Sequence, residues 1–198
     1  MNHLLTPLIL AAGASSRMGR PKALLDIGGR AALDCVLDTA AAARLGKAVV
    51  VLGSDAEAVE RGSGAGRATV VRNADWAKGM TTSVQAALKA LPREAEGFLV
   101  WPVDLPFVRE ETVAELAMRF WILRQNRRLP IVLPKAGRRG HPVLFDRAYA
   151  GELAALKADQ PPRAVVERHP EQVEEIPAGE ETVRDLDTPE DYARATGR

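Results

Sequence analysis

Leu8-Ile9-Leu10-Ala11-Ala12-Gly13-Ala14-Ser15-Ser16-Arg17-Met18-Gly19-Arg20-Pro21-Lys22 joins a short apolar run to a loop carrying two glycines, two serines and three cations. The apolar run has the length of a buried strand. The loop has what a phosphate site requires: glycine, so that backbone N–H groups can approach oxygen, and positive charge to neutralise it. A solvated basic turn would account for the composition alone, but the place directly after a first strand favours a binding role. The spacing matches neither G-x-x-x-x-G-K-[ST] nor G-x-G-x-x-G, which sets aside a P-loop ATPase and a Rossmann dinucleotide oxidoreductase.

Outward from this loop, short apolar runs alternate with helical patterns. Ala48-Val49-Val50-Val51-Leu52, Thr69-Val70-Val71, Phe98-Leu99-Val100-Trp101 and Ile131-Val132-Leu133 read as further buried strands. Residues 31–44 place Leu33, Val36 and Leu37 on one helical face; residues 81–91 do so with Val84, Ala87, Leu88 and Leu91, and residues 110–123 with Val113, Leu116, Ala117 and Phe120. The alternation predicts a single α/β domain over residues 1–198, with a Rossmann-like, mostly parallel sheet covered by helices on both faces. Ligands of such sheets sit at the carboxyl ends of the strands, so the segments after Leu10 and Trp101 carry the expected site. Gly62-Ser63-Gly64-Ala65-Gly66 reads as a mobile surface loop. The segment from Lys135 to Phe145 reads as a glycine-bounded turn feeding another strand, in a lobe that covers the sheet end.

The bulk properties bound the partners. The 198 residues include 27 Lys+Arg and 26 Asp+Glu, a balance that argues against a polymeric nucleic acid partner. One cysteine, Cys35, forms no internal disulfide and reads as a core residue, and the scattered His3, His141 and His169 offer no zinc cluster. A reducing, cytoplasmic setting follows. The run from Leu4 to Ala12 has no cation before it and contains Pro7, so it reads as a buried strand rather than an export signal, and no segment has the length of a membrane span.

Several motifs fall in one order: L-A-A-G-x-S-x-R-M-G-x-P-K at 10–22; Asn73-Ala74-Asp75-Trp76-Ala77-Lys78-Gly79-Met80-Thr81-Thr82-Ser83-Val84; Val103-Asp104-Leu105-Pro106; Gly140-His141-Pro142-Val143; and Asp185-Leu186-Asp187-Thr188-Pro189-Glu190-Asp191. Together they resemble the MobA-like nucleotidyltransferases, and within them the molybdenum cofactor cytidylyltransferases. The resemblance spans nearly the whole chain. It implies a nucleotide-diphospho-sugar transferase-like domain that moves an NMP group from an NTP to a phosphorylated acceptor with magnesium, releasing pyrophosphate. Ala12, where the guanylyl branch has glycine, implies CTP over GTP. The implied acceptor is molybdopterin, with a molybdoenzyme or its maturation factor as a further partner. Leu105 departs from the pattern, since D-Q-P or D-M-P is expected there, and leaves open another acceptor such as a sugar phosphate. A catalytically idle nucleotide-binding or cofactor-delivery protein is the remaining alternative.

The same resemblance assigns Gly13, Arg17 and Lys22 to the triphosphate. The expected site is then Leu10, Ala11, Ala12, Gly13, Arg17, Lys22, Asn73, Gly79 and Ser83 for the nucleotide, with Arg17, Lys22 and Asp104 catalytic, Asp104 and Asp187 for the metal, and Arg138, Arg139 and His141 for the acceptor. The residues themselves fit. Magnesium takes hard oxygen ligands and one or two carboxylates beside phosphate and water. Asp104 follows a strand, although an aspartate before Leu-Pro also closes a turn. Asp185 and Asp187, two apart on a predicted strand, point the same way. Asp187 is not needed as a helix cap, because Thr188-Pro189-Glu190-Asp191 supplies the cap, a first-turn proline and an acid. Ser83 and Gly79 precede a helix whose start suits an anion but is equally a plain helix start. Arg138 and Arg139 read equally as an exposed basic turn, Trp76 as packing or pocket lining, and Arg163 as a weaker candidate.

Overall fold

The computed structural model describes residues 1–126 and 128–197. At its centre is an eight-stranded sheet in which β1 (Leu5–Ala11) pairs in parallel with β4 (Val49–Leu52) on one side and β6 (Gly97–Pro102) on the other. β5 (Thr69–Arg72) extends the β4 side, also in parallel. Beyond β6 come β9 (Val143–Asp146), β7 (Ile131–Ala136) and β10 (Val173–Pro177), with the two-residue β8 (Arg138–Arg139) folded back on β7. β9 runs antiparallel to both neighbours, whereas β7 and β10 pair in parallel. A separate hairpin, β2 (Asp26–Ile27) and β3 (Arg30–Ala31), turns on Gly28 and Gly29, both at positive φ. Pro7 lacks a ladder donor yet sits in the central strand; the pairing of β1 with β4 begins only at Leu8.

Strand alternation divides the apolar residues between two cores. Ile9, Val50, Leu52, Leu99 and Trp101 point to one face and pack with Leu33 and Val36 of α1 (Ala32–Ala42), Val59 of α2 (Ala56–Gly62), and Val113, Leu116 and Phe120 of α4 (Glu110–Gln125). Leu8, Leu10, Val49, Val51, Phe98 and Val100 point to the other, against Val84 and Ala87 of α3 (Met80–Lys89), Leu153 of α5 (Ala150–Ala154), and Val165 and Val166 of α6 (Arg163–Arg168). Each such side chain stabilises the fold by roughly 1.5–3 kcal/mol when fully buried, so the two-sided covering is what holds the parallel strands together. The last helix, α7 (Pro189–Thr196), packs on a third, smaller cluster of Met18, Leu25, Ala32 and Leu186.

Two expectations are corrected. The glycine patch is not a loose loop: α2 ends at Gly62, the Gly64 N–H donates to Asp34 Oδ1 at 2.7 Å, and Ala65 is fully buried. Small residues are used there to let the chain approach α1, not to leave it free. The segment from Lys135 to Phe145 does turn, at Gly137 (φ 68°), and does feed a strand. That strand inserts between β6 and β7, so it belongs to the main sheet rather than to a covering lobe.

Candidate active site

The chain leaves β1 toward β4 and β5, then crosses back to form β6 on the opposite side of β1. Loops that follow neighbouring strands therefore diverge there, and a crevice opens at the carboxyl ends. A cavity of about 270 Å³ occupies it, lined by Leu10, Ala11, Ala12, Gly13, Arg17, Lys22, Asp104 and Asp187 among others. The loop after β1 is built as a turn on Ser15, whose φ of 51° is adopted at the cost of some strain. The Ser15 carbonyl accepts from the N–H groups of Met18 and Gly19, and its Oγ accepts from the Lys22 N–H at 3.0 Å. Gly19, at φ 71°, completes the turn without a side-chain penalty. The loop thereby turns Lys22 back toward the sheet edge.

There Lys22 Nζ donates to Asp104 Oδ2 at 2.9 Å and also to Asp187 Oδ1, while Arg17 Nη2 donates to Asp187 Oδ2 at 2.9 Å. Lys22 and Asp104 side chains are only 16% and 21% exposed, so this pair feels a lower dielectric than an open surface pair. Burial works against the Lys22 charge, but the Asp104 charge and the hydrogen bonds to Asp187 and Asp104 outweigh it and hold the ammonium above its ordinary pKa. The hydrogen bond from Lys22, reinforced by the charges of Lys22 and Arg17, holds Asp187 below the usual carboxylate range. Asp185 goes the other way: burial, then the neighbouring Asp104 charge, push its carboxyl up. Two carboxylates thus converge on one cation, with a third close by.

Asp185 and Asp187 were expected on a strand, and this is corrected: the segment between Val183 and α7 is irregular. It is held by one backbone bond, Leu186 N–H to the Asp104 carbonyl at 3.0 Å, and by the fully buried Leu186 side chain. Those two anchors bring residues 83 positions apart to one place (187 − 104). Thr188 and Asp191 form a reciprocal capping box and Pro189 opens α7, so the cap is supplied without Asp187.

Of the remaining residues predicted for the nucleotide site, Ser83 lies at the cavity and Asn73 and Gly79 lie outside its lining. Ser83 and Trp76 line the cavity, with Met80 beside them. Asn73 is buried and does not line it; its Nδ2 donates to Thr82 Oγ1 at 2.9 Å and Ser83 Oγ at 3.0 Å, fixing the first turn of α3. Gly79 caps α3 at φ 124°. Sequence reasoning overlooked Gly53. A Cβ there would meet the Ala12 carbonyl at 2.2 Å, the Ala12 Cβ at 2.9 Å and Trp76 Cγ at 2.8 Å. Ala12 and Trp76 reach their places only because residue 53 has no side chain. A glycine immediately after the Val50-Val51-Leu52 run was the available signal.

Arg138, Arg139 and His141 meet in a second cavity of about 440 Å³, adjacent to the first through Met80, which lines both. Its floor is apolar, with Val100, Leu133 and Phe145. The arginines are engaged: Arg138 Nη2 donates to the Val183 carbonyl and lies 3.8 Å from Asp185, and Arg139 Nε donates to Glu175 Oε1 at 2.8 Å. Burial holds the His141 imidazole below its ordinary pKa, and its Nδ1 faces the Val100 carbonyl at 3.4 Å. Arg163 also lines this cavity, and Cys35 is buried in α1. Among the described residues no helix is long and apolar enough to cross a membrane.

A loop that neutralises phosphates, set opposite carboxylates suited to a hard cation, is what nucleotidyl transfer asks of a protein. The chain belongs to the MobA-like NTP transferase domain family, whose model matches residues 7–173. It is 32% identical over 194 residues to nicotine blue oxidoreductase of Paenarthrobacter nicotinovorans, covering 96% of this chain and 95% of that one. It is 28% identical over 197 residues to molybdenum cofactor cytidylyltransferase of Escherichia coli (strain K12), covering 96% and 95%. The crystal structure of Rv0371c from Mycobacterium tuberculosis H37Rv superposes with a TM-score of 0.84 at 30% identity over 98% of this chain and 97% of that one. Rv0371c has also been solved as a complex with manganese. The fold is that of the nucleotide-diphospho-sugar transferases, and the family is one of nucleotidyltransferases.

Proposed function

We propose that this chain transfers CMP from CTP to a phosphorylated acceptor, molybdopterin, with magnesium, and releases pyrophosphate. The observation that carries this reading is the convergence of Arg17 and Lys22 with Asp104 and Asp187 at the edge of β1 and β6. The transferase unit takes in residues 1–198, because Asp187 lies beyond the segment matched by the family model. Location in the cytoplasm accords with the single buried cysteine.

In the reaction an acceptor phosphate oxygen bonds to the α-phosphorus as the bond from that phosphorus to the α–β bridging oxygen breaks, and pyrophosphate leaves with the electron pair. No general base is required, since the attacking phosphate is already ionised. Gly13 and the neighbouring N–H groups receive phosphate oxygens, with Leu10, Ala11 and Ala12 beneath the nucleotide. Lys22 exchanges its carboxylate partners for the bridging oxygen, and Arg17 grips the outer phosphates. Ser83, supported by Asn73 and by the Gly79 turn, presents the start of α3. Arg138, Arg139 and His141 receive the acceptor in the second cavity. The molybdopterin product passes to a molybdoenzyme or its maturation factor.

The donor set fits magnesium: two partly exposed carboxylates, Asp104 and Asp187, reach the same point, and no third His, Cys, Asp or Glu completes a metal cluster among the described residues. That is the composition expected where phosphate and water provide the other ligands. When bound, magnesium supplies charge neutralisation across the phosphate oxygens. Ala12, 4% exposed against Gly53 and Trp76, supports CTP through the shape of the base pocket.

The test is metal-dependent pyrophosphate release across the four NTPs and an acceptor panel that includes molybdopterin and sugar phosphates. Release with CTP and molybdopterin is expected; release with GTP or a sugar phosphate alone would move the substrate assignment within the same chemistry. The 32% identity to nicotine blue oxidoreductase favours a second reading, in which the site serves a redox reaction. Redox turnover of nicotine blue, with no pyrophosphate from any NTP, would replace the first reading by the second. Nucleotide binding without either turnover would leave a delivery protein.

A further inference from the structure

The phosphate loop is not held by the main sheet alone. Arg20, exposed on that loop, stacks its guanidinium over the Tyr192 ring of α7 at 4.9 Å from the ring centroid. The Tyr192 hydroxyl donates to the Asp26 carbonyl at 2.7 Å, a bond across 166 positions that ties α7 to the strand immediately after the loop. Below these contacts, Tyr192 packs against the buried cluster of Met18, Leu25, Ala32 and Leu186, so the loop, the hairpin and the C-terminal segment share one small core. The capping box at Thr188, the residue after Asp187, fixes where α7 starts. The two ends of the chain are therefore joined three ways, at Met18, at Arg20 and at Asp26, with the Arg17–Asp187 and Lys22–Asp187 pairs just above.

We propose that Tyr192 is a positioning residue for nucleotide binding, holding the phosphate loop through Arg20 and the Asp26 carbonyl so that Arg17 and Lys22 are preorganised for the triphosphate. It lines neither of the two cavities described above and acts only through the loop. A cation–π contact needs its ring held in place, and here the partly buried Tyr192 packs on the apolar cluster. A loop released from this seat must be ordered again on each binding event, which lowers affinity without removing any group that touches the ligand. The inference rests on the reading that the loop binds an NTP.

The experiment is titration calorimetry of the full chain with CTP and magnesium, alongside thermal unfolding. Tyr192→Leu is expected to raise the CTP Kd by about tenfold, and Tyr192→Phe, which keeps the ring, to recover most of that. Arg20→Ala, a surface change that leaves the core intact, is expected to raise Kd by a similar factor. The double variant should bind no worse than the weaker single variant, because both act through one contact. A merely structural tyrosine would lower the unfolding midpoint while the folded Tyr192→Leu protein bound CTP normally. That result, an unchanged Kd in Arg20→Ala, or additive losses in the double variant, would overturn the proposal. Should the wild type bind none of the four NTPs, the functional reading itself fails, an outcome distinct from these.

Discussion

The two cavities that meet at Met80 distribute charge differently, tightly clustered in the first and spread around an apolar floor in the second. In the first, every cation faced by the ligand is matched by an acid of the same site: Lys22 by Asp104 and Asp187, Arg17 by Asp187. In the second, charged groups surround an apolar floor: Arg138 bonds the Val183 carbonyl and lies 3.8 Å from Asp185, Arg163 lies 3.8 Å from Glu167, and Arg139 bonds Glu175 on β10. A charge-dense, self-neutralised cluster is suited to exchanging counter-ions when phosphates arrive. An apolar floor with a basic rim suits a body that is largely apolar and carries one anionic end. In the proposed function the tight cluster of opposite charges serves the exchange of bonds at phosphorus, and the apolar floor of the second cavity serves the reading of shape.

The sharpest way to break the comparison is to remove the cation at the centre of the first cavity. Lys22→Ala is expected to lower turnover by on the order of 10²-fold while the protein stays folded, since it deletes one preorganised charge from the transition state. Near-normal pyrophosphate release by the folded variant would show that the cluster is a structural knot. Asp104→Asn and Asp187→Asn come next, each expected to reduce metal-supported turnover by more than about tenfold with little change in unfolding temperature. Each leaves Lys22 one carboxylate partner and keeps the side-chain shape. A large drop in stability with activity retained per folded molecule would reassign both aspartates to the scaffold.

A smaller effect is expected from nucleotide choice. CTP should bind at least about tenfold more tightly than GTP, a difference of roughly 1.4 kcal/mol, if Ala12 with Gly53 and Trp76 behind it shapes the base pocket. Side-by-side titrations decide this, and tighter GTP binding would remove the cytidylyl assignment while leaving the rest of the site untouched.

How much of this was legible in the sequence differs by region in the same way. Strands and helices of the β1–β6 half were readable because parallel strands buried on both faces are apolar at nearly every position, as in Val49-Val50-Val51-Leu52, and the helices between them repeat with the helical period. The loop was readable because glycine, serine and cation are all needed close together. Asp185 and Asp187 were misplaced on a strand because alternation around Leu186 looks the same whether a ladder or one backbone bond holds it. β9 was assigned to a covering lobe because nothing local tells an antiparallel insertion from an edge hairpin; its partners lie in β6 and β7. The Tyr192 contacts were invisible for the same reason, being set by a distance of 166 positions.

The smallest expected effect lies at the rim of the second cavity and separates its two possible roles. Arg139 is 45% exposed and bonds Glu175, which Lys135 also bonds, so removing it should cost less than about 1 kcal/mol of stability. The hydrogen bonds from Lys135, then Arg139, hold the Glu175 carboxyl below the usual range in the folded protein. A depressed carboxyl contributes stability above its unfolded pKa and loses it as pH falls through the folded value. The difference in unfolding temperature between wild type and Arg139→Ala should therefore be present at neutral pH and vanish in acid below the ordinary glutamate range. If the rim also draws in the acceptor, the same variant should raise the acceptor KM a few-fold and leave the CTP KM unchanged, because a rim charge acts mainly on encounter. The pH-dependent stability difference with no change in acceptor KM would make Arg139 a strut for β10 and confine recognition of the acceptor to Arg138, His141 and the apolar floor.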